Sequence, residues 1–114
     1  MNITSYLGQK VNIMVDRPLG SKHPKHGFVY EVNYGYIPNT RAPDGEELDV
    51  YVLGVDKPIE KTTGICIAVL HRTNDDDDKL VVTPSGEDFS DEEIGKMVEF
   101  QEKWFKHVIL RTKI

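Results

Sequence analysis

The hydrophobic period of the chain changes once, at Ser90. Before it, apolar residues fall in short alternating runs punctuated by Gly and Pro; after it they recur at steps of three and four. Alternation lays one side of an extended segment against a core, and the longer step lines one face of a helix. Gln9 to Asp16 sets Val11, Ile13 and Val15 against Lys10, Asn12 and Met14, the pattern of a half-buried strand. Arg17 to His26, broken by Pro18, Gly20 and Pro24, reads as loop, and Gly27 to Val32 resumes strand character. Asn33 to Pro43 reads as a connection. Glu47 to Leu53 is a strand closed by Gly54, and Gly64 to Leu70, apolar on both faces, is a central one. His71 to Asp78 turns the chain into a short strand, Lys79 to Val82, ended by Pro84 and Gly86.

Ser90 and Glu93 then form a capping box, in which hydroxyl and carboxylate satisfy backbone donors left unpaired at a helix start. Ile94, Met97, Val98, Gln101, Trp104, Phe105 and Val108 recur along one face as a core-packing stripe. The expected fold is mainly β with one C-terminal helix: five short strands forming a small closed or partly open barrel that the helix covers, an α+β domain spanning residues 1–114.

Composition narrows the function. With 114 residues, 39% of them apolar, the chain can build one core without disulfides. Its longest apolar run, Ile65 to Leu70, is far below the roughly 20 residues of a membrane span, and no charged-then-apolar leader precedes Gln9. Cys66 lies alone inside that run and reads as a buried hydrophobe, so a cytoplasmic location is expected. A net charge of −5 is the wrong sign for gripping nucleic acid or an anionic membrane.

Charge placement says more. Arg17, Lys22, His23, Lys25 and His26 make a basic loop, whereas Asp44-Gly45-Glu46-Glu47-Leu48-Asp49 and Asp75-Asp76-Asp77-Asp78 each hold four acids. The first acidic cluster enters a strand, where backbone is rigid, and Gly45 permits a bend that aims Asp44 and Asp49 at one point. Carboxylates crowded round one cavity repel unless a cation neutralises them, and carboxylate oxygens suit hard divalent cations such as magnesium, or manganese in its place. The second cluster sits in the turn before Lys79 and approaches the first if the barrel closes.

Asn33-Tyr34-Gly35-Tyr36-Ile37-Pro38 followed by Asp44-Gly45-Glu46-Glu47-Leu48-Asp49-Val50 resembles the signature region of soluble family I inorganic pyrophosphatases, and Cys66 to Val82 resembles the stretch that follows it. The resemblance implies an OB-like five-stranded barrel that hydrolyses pyrophosphate to two phosphates with magnesium. It implies that Asp44 and Asp49 bind metal, Asp49 bridging ions, and that Glu46 stands where the family has its general-base aspartate. Asp77 and Lys79 match a metal aspartate and a lysine two residues apart, and the other metal aspartate falls on Asp75 or Asp76. Tyr34 matches a tyrosine that contacts phosphate or orients the base.

The departures are the short chain, the absence of a recognisable amino-terminal hairpin with the family's glutamate, lysine and arginine, and Val108-Ile109 in place of a phosphate-binding Tyr-Lys pair. A polyanion does not enter an acidic pocket unaided. The loop from Arg17 to Gly27 is the expected substitute phosphate site, through Arg17, Lys22, His23, Lys25 and His26 with backbone amides beside its glycines. The expected partner is a small phosphoanhydride, and a homo-oligomer is left open. Two other readings remain: a metal-dependent hydrolase of a nucleotide or other organic diphosphate, and a non-catalytic OB-type binding module.

Overall fold

A computed structural model describes residues 3–41, 45–75 and 77–113. After a single 3-10 turn at Ile3–Tyr6 come β1 (Lys10–Arg17), β2 (Asn33–Ile37), β3 (Leu48–Val52), β4 (Lys61–Arg72) and β5 (Lys79–Thr83). Helix α1 (Asp91–Glu102) and β6 (His107–Leu110) complete the chain. The strands run β1-β2-β3-β5-β4, and β4 pairs back with β1, so five of them close a barrel. Among the described residues only β3 and β5 pair in parallel, with Asp49 opposite Lys79. The twelve-residue β4 is long enough to serve two partners in succession: Lys61 to Ile65 pairs with β1, and Val69 to Arg72 pairs with β6.

The five-stranded barrel expected from the resemblance is therefore present, but its membership differs from the periodicity reading. Asn33–Ile37, read as a connection, is β2, and Gly27 to Val32, read as a strand, is not one. In that segment Phe28, Tyr30 and Val32 do alternate, yet its backbone bonds turn back onto the preceding loop, Tyr30 N to Ser21 O and His23 N to Phe28 O, both 2.8 Å. The alternation serves packing against the helix rather than a place in the barrel. The helical stripe also stops short. The helix ends at Glu102, and Val108 lies in β6, because the open edge of β4 beyond β1 offers a ladder that β-branched Val108 and Ile109 suit better than a helix turn.

Two cores follow from strand parity. Val11, Ile13, Leu48, Val50, Val52, Val69, Leu80 and Val82 fill the barrel. Tyr51, Leu53, Ala68, Leu70 and Val81 point outward and pack against Ile94, Val98 and Phe100 of α1. A register shift between Cys66 and Ala68 lets β4 contribute Cys66 to the inner core and Ala68 to the outer one. The capping box is made: Ser90 Oγ accepts from Glu93 N at 3.1 Å and Glu93 Oε1 from Ser90 N at 2.8 Å.

Gly35 is required by close approach. A Cβ there would strike the Met14 carbonyl group and lie 2.8 Å from Val15 Cα, both backbone atoms of the paired β1. Gly35→Ala should cost about 3 kcal/mol or more in urea unfolding, whereas Gly95→Ala, in open space on α1, should stabilise by roughly 0.5–1 kcal/mol. Burial pushes the Cys66 thiol up to about 11. The folded state holds the proton where an unfolded thiol ionises, so stability that this provides is lost as pH rises. A thiol reagent near pH 9 should modify Cys66 rapidly only in denaturant.

Candidate active site

The outer face of the barrel, not its lumen, carries the charged residues. Asp49 opens β3 with its side chain outward, and the parallel register puts Lys79 directly beside it. Asp77, two residues before Lys79, shares that face. Lys79 Nζ accordingly donates to Asp49 Oδ2 at 2.9 Å and to Asp77 Oδ2 at 3.1 Å, its side chain only 3% exposed. The two acidic segments thus meet at one ammonium.

Arg72, at the end of β4, extends the network. Its Nη1 donates to Asp75 Oδ2 and Asp77 Oδ2, each at 3.2 Å. Its Nε and Nη2 grip Glu102 at 3.0 and 2.7 Å, a two-pronged pair at the end of α1. Burial opposes the Arg72 charge, but the hydrogen bonds and charge of Glu102 outweigh it and hold the guanidinium protonated. Glu102, its side chain fully buried, also accepts from the Tyr51 hydroxyl at 2.6 Å. Gln101 Nε2 donates to that hydroxyl, and the Tyr30 hydroxyl donates to Gln101 Oε1.

These groups border a cleft of about 640 Å³ between barrel, helix end and basic loop. Asp16, Arg17, Tyr34, Asp49, Asp77 and Lys79 are its polar lining, together with Arg72, whose guanidinium lies 3.7 Å from the centre of the Phe105 ring. Burial, then the charge of Asp49, keeps the Tyr34 phenol protonated far above the usual range, so it can donate to an anion. Partial burial raises the Asp16 carboxyl, with Arg17 opposing.

Of the expected site residues, the cleft brings together Tyr34, Asp49, Asp77, Lys79, Arg17, His23 and His26. Lys22 and Lys25 are exposed and are not among its lining residues. Asp75 lies against Arg72, and Glu46 is exposed in the bend before β3. Asp44 and Asp76 lie outside the described residues. The loop's backbone amides are committed elsewhere, contrary to the expectation that they would approach an anion. Those of Gly20, Ser21, His23 and Gly27 bond to carbonyls, Leu19 N to Asn33 Oδ1, and Lys25 N and His26 N to His23 Nδ1. His23 Nδ1 therefore acts as an acceptor, in keeping with burial and then nearby positive charge holding that histidine below its ordinary pKa. The two histidines outside the loop differ: His71 Nδ1 meets Asp78 at 2.6 Å, while His107 Nδ1 is buried without a hydrogen-bond partner among the described residues.

Among the described residues no three His, Cys, Asp or Glu side chains form a metal cage. Magnesium, however, is held by one or two carboxylates with water and phosphate oxygens completing its shell, and the Asp49 and Asp77 carboxylates, converging in an open cleft, fit that requirement.

The comparisons agree with this architecture. The sequence model of the family described as inorganic pyrophosphatase matches residues 7–110. Inorganic pyrophosphatase 1 of Pseudomonas syringae pv. tomato is 42% identical over 62 residues, 48% of this chain and 34% of that protein. The matched segment thus spans about a third of the curated relative's length. The crystal structure of inorganic pyrophosphatase from Ehrlichia chaffeensis superposes with a TM-score of 0.70 at 20% identity, covering 89% of this chain and 84% of that one. That from Neisseria gonorrhoeae gives 0.65 at 22% identity, covering 82% and 72%. The chain belongs to the inorganic pyrophosphatase family.

The Arg72–Glu102 pair was missed in the sequence because neither residue is in the apolar stripe; polar Gln101 within that stripe was the available signal. Glu102→Gln should destabilise the fold by about 3 kcal/mol in urea, since a buried guanidinium loses the most deeply buried of its ionic partners. Lys96→Ala, which removes the exposed pair with Glu92, should change stability by less than about 0.5 kcal/mol.

Proposed function

We propose that the chain hydrolyses inorganic pyrophosphate to two phosphates with magnesium, and does so in the cytoplasm. Family membership supports the reaction class, and the observation that carries the reading is the convergence of Asp49 and Asp77 on Lys79 in a cleft that also presents Arg17. Asp49 and Asp77 would hold the metal, with Asp44 and Asp75 as further ligands. When bound, magnesium neutralises charge on the phosphoryl oxygens and lowers the pKa of water.

The remaining work falls to this chain's own side chains. Arg17 and Lys79 bind the phosphoryl oxygens, and the protonated Tyr34 phenol donates to one of them, holding the anhydride in line for attack. Glu46, the general base that the family resemblance implies, would take the proton of the attacking water by reaching in from the exposed bend before β3. The water oxygen bonds to one phosphorus as the bridging P–O bond breaks, and the departing phosphate is stabilised by the cations that held it. Of the loop residues, His23 and His26 face the same cleft, while Lys22 and Lys25 supply a positive rim for approach. The free, buried Cys66 supports a reducing location. Among the described residues no helix is long and apolar enough to cross a membrane.

Phosphate release from pyrophosphate should require magnesium and stop on chelation. Asp49→Asn should lower kcat/KM by roughly 100-fold or more. Unaltered turnover in that variant would exclude the assignment.

A further inference from the structure

The pyrophosphate chemistry proposed above engages only the charged lining of the cleft, Arg17, Asp49, Asp77 and Lys79 with Tyr34. The cleft also has an aromatic wall, formed by the clustered rings of His26, Phe28 and Trp104, with Tyr30 and Phe105 among its lining residues. The Phe28 and Trp104 rings are 5.5 Å apart, the His26 and Trp104 rings 6.4 Å, and His26 lies within 4° of parallel to Phe28. Trp104 is 55% exposed, although most of the helix stripe to which its spacing assigns it is packed. A carbon-free anion has no surface to lay against such a wall. A volume of about 640 Å³ is instead within the roughly 300–1,000 Å³ range of sites for organic ligands.

We infer that the cleft accepts a phosphoanhydride carrying a nucleobase, a nucleoside triphosphate, with phosphates toward Arg17 and Lys79 and the base stacked on Trp104. Aromatic planes suit a nucleobase because every base has a π-face, and the polar lining places phosphate-binding cations in the same cavity. The net charge of −5 disfavours an oligonucleotide, whereas a single nucleotide needs only the local cations. The inference rests on the phosphate end proposed above. With a triphosphate, the water oxygen bonds to the terminal phosphorus and the terminal anhydride P–O bond breaks. The products are orthophosphate and the nucleoside diphosphate, with the water's proton passing to Glu46 and then to solvent.

Trp104 is the only tryptophan, so its fluorescence reports on stacking directly. With magnesium, the uncleavable triphosphate analogue AMP-PNP should quench it, and imidodiphosphate, which has no base, should not. In steady-state assays Trp104→Ala should reduce kcat/KM for ATP roughly 10-fold or more while pyrophosphate turnover stays within about twofold, and Trp104→Phe should restore ATP turnover. Equal quenching by both analogues, no quenching by AMP-PNP, or tighter binding of a single-stranded oligonucleotide than of AMP-PNP would overturn the inference. So would equal loss of both activities in Trp104→Ala. Pyrophosphate turnover without AMP-PNP quenching leaves the proposed function standing and removes this inference; ATP turnover without pyrophosphate turnover does the reverse.

Discussion

The Arg72–Glu102 pair is the contact on which the rest of the structure turns. Removing both charges from water carries a large desolvation penalty, offset only when the geometry is good and the remaining hydrogen-bonding capacity is used. Here the pairing is two-pronged, Glu102 also takes the Tyr51 hydroxyl, and the spare side of the guanidinium reaches Asp75 and Asp77 under the ring of Phe105. The same side chain therefore locks the helix end to the barrel and aims one of the two cleft carboxylates.

A site on the outer wall is what a barrel this small allows. Its lumen is filled by valine, leucine and isoleucine side chains, leaving no room for a polar ligand inside. Outward positions remain, and α1 covers only part of them. Where that cover ends, at Glu102, the barrel wall, the helix end and the folded-back loop enclose the cleft.

The elements legible in the sequence were those whose local pattern and tertiary setting agree. The strands around Val11, Val50, Val69 and Leu80 and the Ser90 cap were such cases. β2 shows little strand pattern of its own, since Gly35 interrupts it, and the reason for glycine there is the approach of β1, invisible without the pairing. Gly27 to Val32 misled in the other direction, its alternation being real but spent on the helix. The shortened helix has the same cause as β6: a vacant ladder on β4. In the site, Asp77 and Lys79 are two residues apart and are legible through the family resemblance, which a short contiguous stretch carries. Arg72 and Glu102 stand 30 positions apart, and their union depends on the path of the whole chain.

Lys79 has one more consequence. By sitting between Asp49 and Asp77 it acts as an internal counter-ion that lowers the mutual repulsion of these two carboxylates. A divalent ion held by these two carboxylates competes for them with an ammonium tethered by a flexible stem.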